Sequence, residues 1–342
     1  MFLPFSWFLG TPEWTPFNSN PLNSFFQGLV GACGISVLCN LLRVYHFIQT
    51  CSDSESETES KPRSSSTVSP LRGNWKIVVQ FWSLVVLLSL VGSRVSSLIV
   101  LEFSLRAVSA WASAGLDASG RGPDLLLIQS QFSLGCSLIC TLVFLHQGAP
   151  HSSLSLFLAA ALSWALASVG HSLWSHVARL YPLHSTERYC GKCISLLTSG
   201  HGMLASLQRA VVLAFAIASV AATTTVYDHF LSQKDALKFW TPLALCYTML
   251  LVYMQEHQNR QTGTEALLHT AVLRLGALLV LMLTVGDWSD VLQVLITFLG
   301  EAVCLLPSQD LLQAELMEED TSFNIPSHKT RERTWKTSSD DS

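Results

Sequence analysis

Charge is the first thing this sequence lacks. Asp, Glu, Lys and Arg make up only 13% of its 342 residues, about half the ~25% of an ordinary soluble domain. Too few charges remain to cover a water-facing surface on a chain this long. The net charge of −4 and the absence of a basic face or an aromatic-interleaved basic run exclude nucleic acid as a partner. Catalytic signatures are missing too: there is no G-x-S-x-G, H-E-x-x-H, P-loop or G-x-G-x-x-G. The chain is therefore not expected to be an enzyme, and no cofactor is implied. No Asn-x-Ser/Thr acceptor occurs anywhere, so glycosylation cannot report sidedness. Residues 1–23 contain no Lys or Arg and are interrupted by Pro4, Pro12, Pro16 and Pro21, which argues against a signal peptide. Neither end carries a lipidation signal. The nine cysteines are odd in number and scattered, which is not a disulfide framework.

What the sequence has instead is long apolar runs. Hydrophobic residues reach 49%, and mean hydropathy is +0.39. Runs at 25–45, 75–114, 125–145, 154–174, 210–227, 239–254, 267–286 and 291–306 read as spans. The expected fold is an all-α polytopic integral membrane helix bundle of about eight transmembrane helices, within a range of seven to nine. Residues 1–24 form an N-terminal segment whose aromatics suit the membrane interface. Residues 25–306 form the membrane domain, with a disordered loop at 49–74, and 307–342 form a disordered tail. Ser52, Ser54 and Ser56 each precede a Glu by three positions, a pattern suited to an acidic-directed kinase. Gly28, Gly31, Ala32, Gly34 and Ser36 give the first span a small-residue surface for close helix packing. The pairs 125–145 with 154–174, and 267–286 with 291–306, read as antiparallel hairpins because their connections are short. Residues 175–192 read as a polar connection, and 193–208 as an interfacial or re-entrant segment, interrupted by Gly200, His201 and Gly202.

The stretch 75–114 decides parity. As one helix it would be about 60 Å long, roughly twice the hydrocarbon core. It is either one tilted helix that leaves the bilayer or two segments bent at Gly92-Ser93. The bias of Lys and Arg between alternate loops favours two crossings, whereas the lack of turn residues favours one.

Charges within apolar runs are costly, so they mark a packed interior or a pathway. Arg94, Glu102 and Arg106, spaced by eight and four, are expected on one stripe of a helix through the 75–114 stretch, with Glu102 and Arg106 one helical turn apart. Arg274 and Glu301 lie at nearly equal depth on the two arms of the last hairpin, offset by about 3 Å. They are expected to pair. Cys190 and Cys193 form a lone C-x-x-C beside a membrane segment, a thiol or metal candidate without a standard zinc or thioredoxin context. His171 and His176 lie near the end of the 154–174 span and read as interfacial polar groups rather than metal ligands.

Several of these stretches also resemble a known family. They are Gly92-Ser93-Arg94-Val95, Leu101-Glu102-Phe103-Ser104-Leu105-Arg106, Arg188-Tyr189-Cys190-Gly191-Lys192-Cys193, Phe239-Trp240-Thr241-Pro242-Leu243, Tyr253-Met254-Gln255-Glu256 and Leu283-Thr284-Val285-Gly286-Asp287-Trp288. Over roughly residues 25–306 the chain resembles the transmembrane protein 82 family. The resemblance implies a multi-pass membrane protein and supplies no catalytic or binding residue. The partner is then the lipid bilayer. A transporter- or channel-like activity using the buried charges would add a small solute or ion. The alternative is a non-transporting scaffold or interaction protein that uses its loop and tail as docking segments.

Overall fold

The computed structural model describes residues 21–56, 74–114, 122–146, 152–184, 190–229, 250, 264–285, 288–309 and 311. No strand occurs among them. In chain order the helices are α1 (Pro21–Ser56), α2 (Asn74–Leu90), α3 (Ser93–Ala114), α4 (Gly122–Gln129), α5 (Gln131–His146), α6 (Ser152–His184), α7 (Gly191–His229), α8 (Thr264–Val285) and α9 (Trp288–Leu305). A 3-10 turn, Leu306–Ser308, follows α9.

Among the described residues four segments are long and apolar enough to cross a membrane: Pro21–Gln49, Ser153–Arg179, Gly202–Thr224 and Trp288–Ser308. The pair α2 and α3 adds a fifth if it counts as one crossing, and α5 and α8 carry shorter apolar segments. The span expected at 239–254 lies outside the described residues, apart from position 250.

The stretch 75–114 breaks at Gly92, where α2 and α3 diverge by 107°. The last bond before the break runs from Val91 N to Leu87 O, and the next turn restarts with Ser96 N donating to Gly92 O. A side chain at Gly92 would meet Gln293 Nε2 of α9 at 2.8 Å, so α9 packs directly into the bend.

Other expectations need correction. The 125–145 run is two helices, split at Ser130. There Ser130 N (3.3 Å) and Ser130 Oγ (2.7 Å) both donate to Leu127 O, the carbonyl that a continuous helix would offer to Gln131. Residues 49–56 of the loop expected at 49–74 are helical, because α1 continues to Ser56, and 57–73 lie outside the described residues. Once a helix is nucleated, each added residue gains a hydrogen bond at little further cost. Its 36 residues extend about 54 Å, beyond the ~30 Å hydrocarbon core. Likewise α6 runs on to His184 and α7 starts at Gly191, which absorbs most of the expected 175–192 connection. The expected re-entrant segment is the first part of the continuous α7. Its glycines cost only about 1 kcal/mol each relative to Ala, too little to break so long a helix.

Helix α1 is the hub, packed against α6, α2, α5 and α7. Its small-residue surface is used inside the bundle. A Cβ at Gly28 would lie 2.7 Å from Val85 O of α2, and one at Gly31 would lie 3.0 Å from Gly135 O of α5. The expected α5–α6 hairpin is not a packed pair: both helices lean on α1 and meet at their tip, where His146 Nε2 hydrogen-bonds Ser155 Oγ. α8 and α9 pack as neighbours, and α3 packs on α7 and α5. The main core draws on α1, α2, α3, α4, α5, α8 and α9 and on one face of α7, through Val211, Phe215, Ala218 and Ala222. The outer helices are different. The apolar segment of α6 is 22% buried and that of α7 17%, against 50% for α1. Leu158, Leu162, Leu166 and Val169 of α6 and Val212, Leu213 and Val220 of α7 point away from the bundle, as lipid-facing side chains should.

Candidate functional site

α3 supplies the first two charges. Glu102 and Arg106 are one turn apart, and their side chains approach with Oε1 to Nε at 3.8 Å. α8 brings Arg274 to the other Glu102 oxygen, with Nε to Oε2 at 3.4 Å. Arg274 Nη2 also donates to Glu301 Oε1, which α9 presents across the last hairpin. The result is a chain of alternating sign, Arg106, Glu102, Arg274, Glu301, that ties three helices together. All four are buried: Arg274 and Glu102 are 2% exposed, Glu301 4% and Arg106 8%.

The far end is held by α4. Arg106 Nη1 donates to Gln129 Oε1 at 3.0 Å, and its guanidinium lies 4.9 Å from the centre of the Phe103 ring. Phe103 in turn stacks on Phe215 of α7, with centroids 4.6 Å apart. Close by on the α3–α7 interface, the Ser104 and Ser219 hydroxyls are 2.9 Å apart. Among the described residues neither Glu102 oxygen accepts a hydrogen bond; its contacts are the two ion pairs.

Magnitudes indicate what such a chain does. At about 4 Å and an effective dielectric of ~20, one ion pair is worth about 4 kcal/mol. Removing each ion from water costs several kcal/mol. The two roughly offset, so the intact chain adds little net stability. Removing one member leaves an uncompensated buried charge, and that is where the energy lies.

Arg94 is not part of the chain. Eight residues along a helix is about 80° of rotation, enough to turn Arg94 away from Glu102. It pairs instead with Asp290 in the first turn of α9, at 3.9 Å, with the Arg94 side chain 46% exposed.

Sequence reasoning missed the glutamines. Gln129 and Gln131 flank the Ser130 break and are 7% and 2% exposed. Gln131 links α1 to the end of α9: Cys39 Sγ donates to its Oε1 at 3.1 Å, and its Nε2 donates to Ser308 Oγ at 2.8 Å. The available signal was the triplet Gln129-Ser130-Gln131, polar and buried within an otherwise apolar run. Cys33, Cys136, Cys140 and Cys304 are buried free thiols and Cys39 is partly buried, whereas Cys246 lies outside the described residues.

Cys190 packs on a separate small cluster of Val44, Val177 and Leu196 and lies 3.2 Å from His176. The Cys193 side chain lies outside the described residues. Among the described residues no group of three or more His, Cys, Asp or Glu gathers as a metal site.

No solved structure matches this chain. The family model described as transmembrane protein 82 matches residues 22–325, most of the sequence. Together with its apolar helices this makes the chain a helical membrane protein, and the chain belongs to the transmembrane protein 82 family.

Proposed function

We propose that this protein is a non-conducting membrane scaffold, a helix bundle whose buried charges serve assembly rather than transport. The carrying observation is the charge balance of Arg106, Glu102, Arg274 and Glu301, each engaged with a neighbour of opposite sign. A transport pathway needs a charge held ready for a solute or ion; here opposite charges from α3, α8 and α9 already occupy one another. The outer faces of α6 and α7 meet lipid, and the segments beyond the membrane domain are left for docking partners. The reading keeps the roughly eight crossings that the apolar runs suggest.

A transporter- or channel-like reading draws on one feature, the 107° break between α2 and α3, since broken helices line solute sites in many transporters. Reconstitution separates the two. The full chain in proteoliposomes is assayed for proton, sodium and chloride flux, and its melting temperature in detergent is compared with that of Arg274→Gln. The scaffold reading expects flux equal to that of protein-free vesicles and a strongly destabilised variant. Flux that Arg274→Gln abolishes while the protein stays folded contradicts it.

A further inference from the structure

A second constellation lies where α6 gives way to α7, outside the buried charge chain. His176 Nε2 faces Cys190 Sγ at 3.2 Å. Both residues are half-buried. Cys190 immediately precedes α7, a 39-residue helix, so its thiol sits at the positive end of the helix dipole. An imidazole within hydrogen-bond reach and a helix N-terminus are the two surroundings that turn a thiol into a nucleophile.

The place in the fold is equally specific. The apolar segment of α6 closes at Arg179, which leaves His176 about 5 Å inside its edge. The apolar segment of α7 opens only at Gly202. Cys190 and Trp174 pack on the small cluster of Val44, Val177 and Leu196 that joins α1, α6 and α7. In sequence, Arg179, Glu187, Arg188 and Lys192 flank the pair, a net positive stretch. Counted along α6 the pair lies at the edge of that helix's apolar segment, and counted along α7 the thiol lies about 18 Å outside it, which puts Cys190 on the water side of the lipid surface.

We propose that Cys190 is a site of S-acylation by a long-chain fatty acyl thioester, with His176 as its base. A thiol on the water side of that surface meets a donor whose chain lies in the bilayer and whose thioester lies at the surface. His176 Nε2 takes the proton from Sγ. The sulfur attacks the thioester carbonyl carbon, the bond between that carbon and the donor sulfur breaks, and the departing thiolate takes the proton from His176. One thioester replaces another, with no net oxidation or reduction. The acyl chain then lies in the bilayer beside α6 and α7, anchoring the segment that joins them.

The test uses the full chain and its variants Cys190→Ser, Cys193→Ser and His176→Gln, each checked for folding by size-exclusion elution. Cells are fed an alkyne fatty acid and the hydroxylamine-sensitive label is measured; separately, the purified chain is incubated with palmitoyl-CoA. The expected result is label lost in Cys190→Ser, retained in Cys193→Ser, and acquired roughly tenfold more slowly or worse in His176→Gln, as loss of a general base requires. Labelling by palmitoyl-CoA alone identifies self-transfer, and labelling only in cells identifies an acyltransferase as the source; both place the thioester on Cys190. An unlabelled wild type, label that persists in Cys190→Ser, an unchanged rate in His176→Gln, or one bound zinc per chain overturns the proposal.

Discussion

Two ion pairs fasten α9 to the rest of the bundle, and they could hardly differ more. At its first turn Asp290 meets Arg94 at 3.9 Å, with the arginine half in the open. Further along, Glu301 meets an arginine that is 2% exposed and shared with Glu102. The chemistry is the same, carboxylate against guanidinium. Burial sets the consequence. A pair whose arginine reaches water gains little, because water and salt solvate that guanidinium about as well as the buried Asp290 carboxylate does. A buried pair is an obligation, since neither member tolerates losing the other.

This contrast orders the expected effects of substitution. Arg274→Met strands buried Glu301 and leaves Glu102 with Arg106 alone, and is expected to destabilise the protein most, by about 3–5 kcal/mol; the fall in melting temperature in detergent measures it. Gln129→Leu removes a neutral acceptor from a charged donor, at about 1.5–3 kcal/mol. It sharpens the comparison because Arg106 keeps its ion pair with Glu102, so a loss as large as that of Arg274→Met would place the energy in the glutamine rather than the charges. Gly28→Ala tests packing without charge. Its Cβ would lie 2.7 Å from a backbone carbonyl that cannot swing aside, and forcing α1 from α2 is expected to cost about 1–3 kcal/mol. Arg94→Gln closes the series at about 1 kcal/mol, because Asp290, although buried, stays at the start of α9, where the helix dipole favours a carboxylate. If it proved as costly as Arg274→Met, burial would not be the distinguishing variable.

Much of this was legible in the chain. Long uncharged runs gave helices, because lipid leaves the backbone no other hydrogen-bonding partner. Equal depth on a short hairpin brought Arg274 and Glu301 together as expected from counting residues. Other features were not legible, for reasons that lie in tertiary structure. That Arg274 also reaches Glu102 depends on how α8 docks beside α3, which no local spacing encodes. Arg94 was expected on one stripe with Glu102 and Arg106, yet the roughly 80° that eight residues add along α3 turns it to Asp290. The split at Ser130 depends on one hydroxyl capturing the Leu127 carbonyl, a choice serine has in any helix and usually declines. The ends of α1, α6 and α7 ran past their apolar segments because helix propagation is nearly neutral in energy, while hydropathy reports only the lipid-embedded part. The balance of function moved as well. Buried charges by themselves suited a pathway; charges found in alternating contact suit a clamp.

The claim on which this account rests is that the buried charges act as one interlocked unit. A double-mutant cycle on Arg274→Met and Glu301→Leu, read as unfolding free energy in detergent, tests it most directly. The account predicts that the double variant is more stable than the sum of the single losses by about 1 kcal/mol or more, within the range seen for contacting residues, because removing the second charge relieves the first. Strictly additive losses would contradict it.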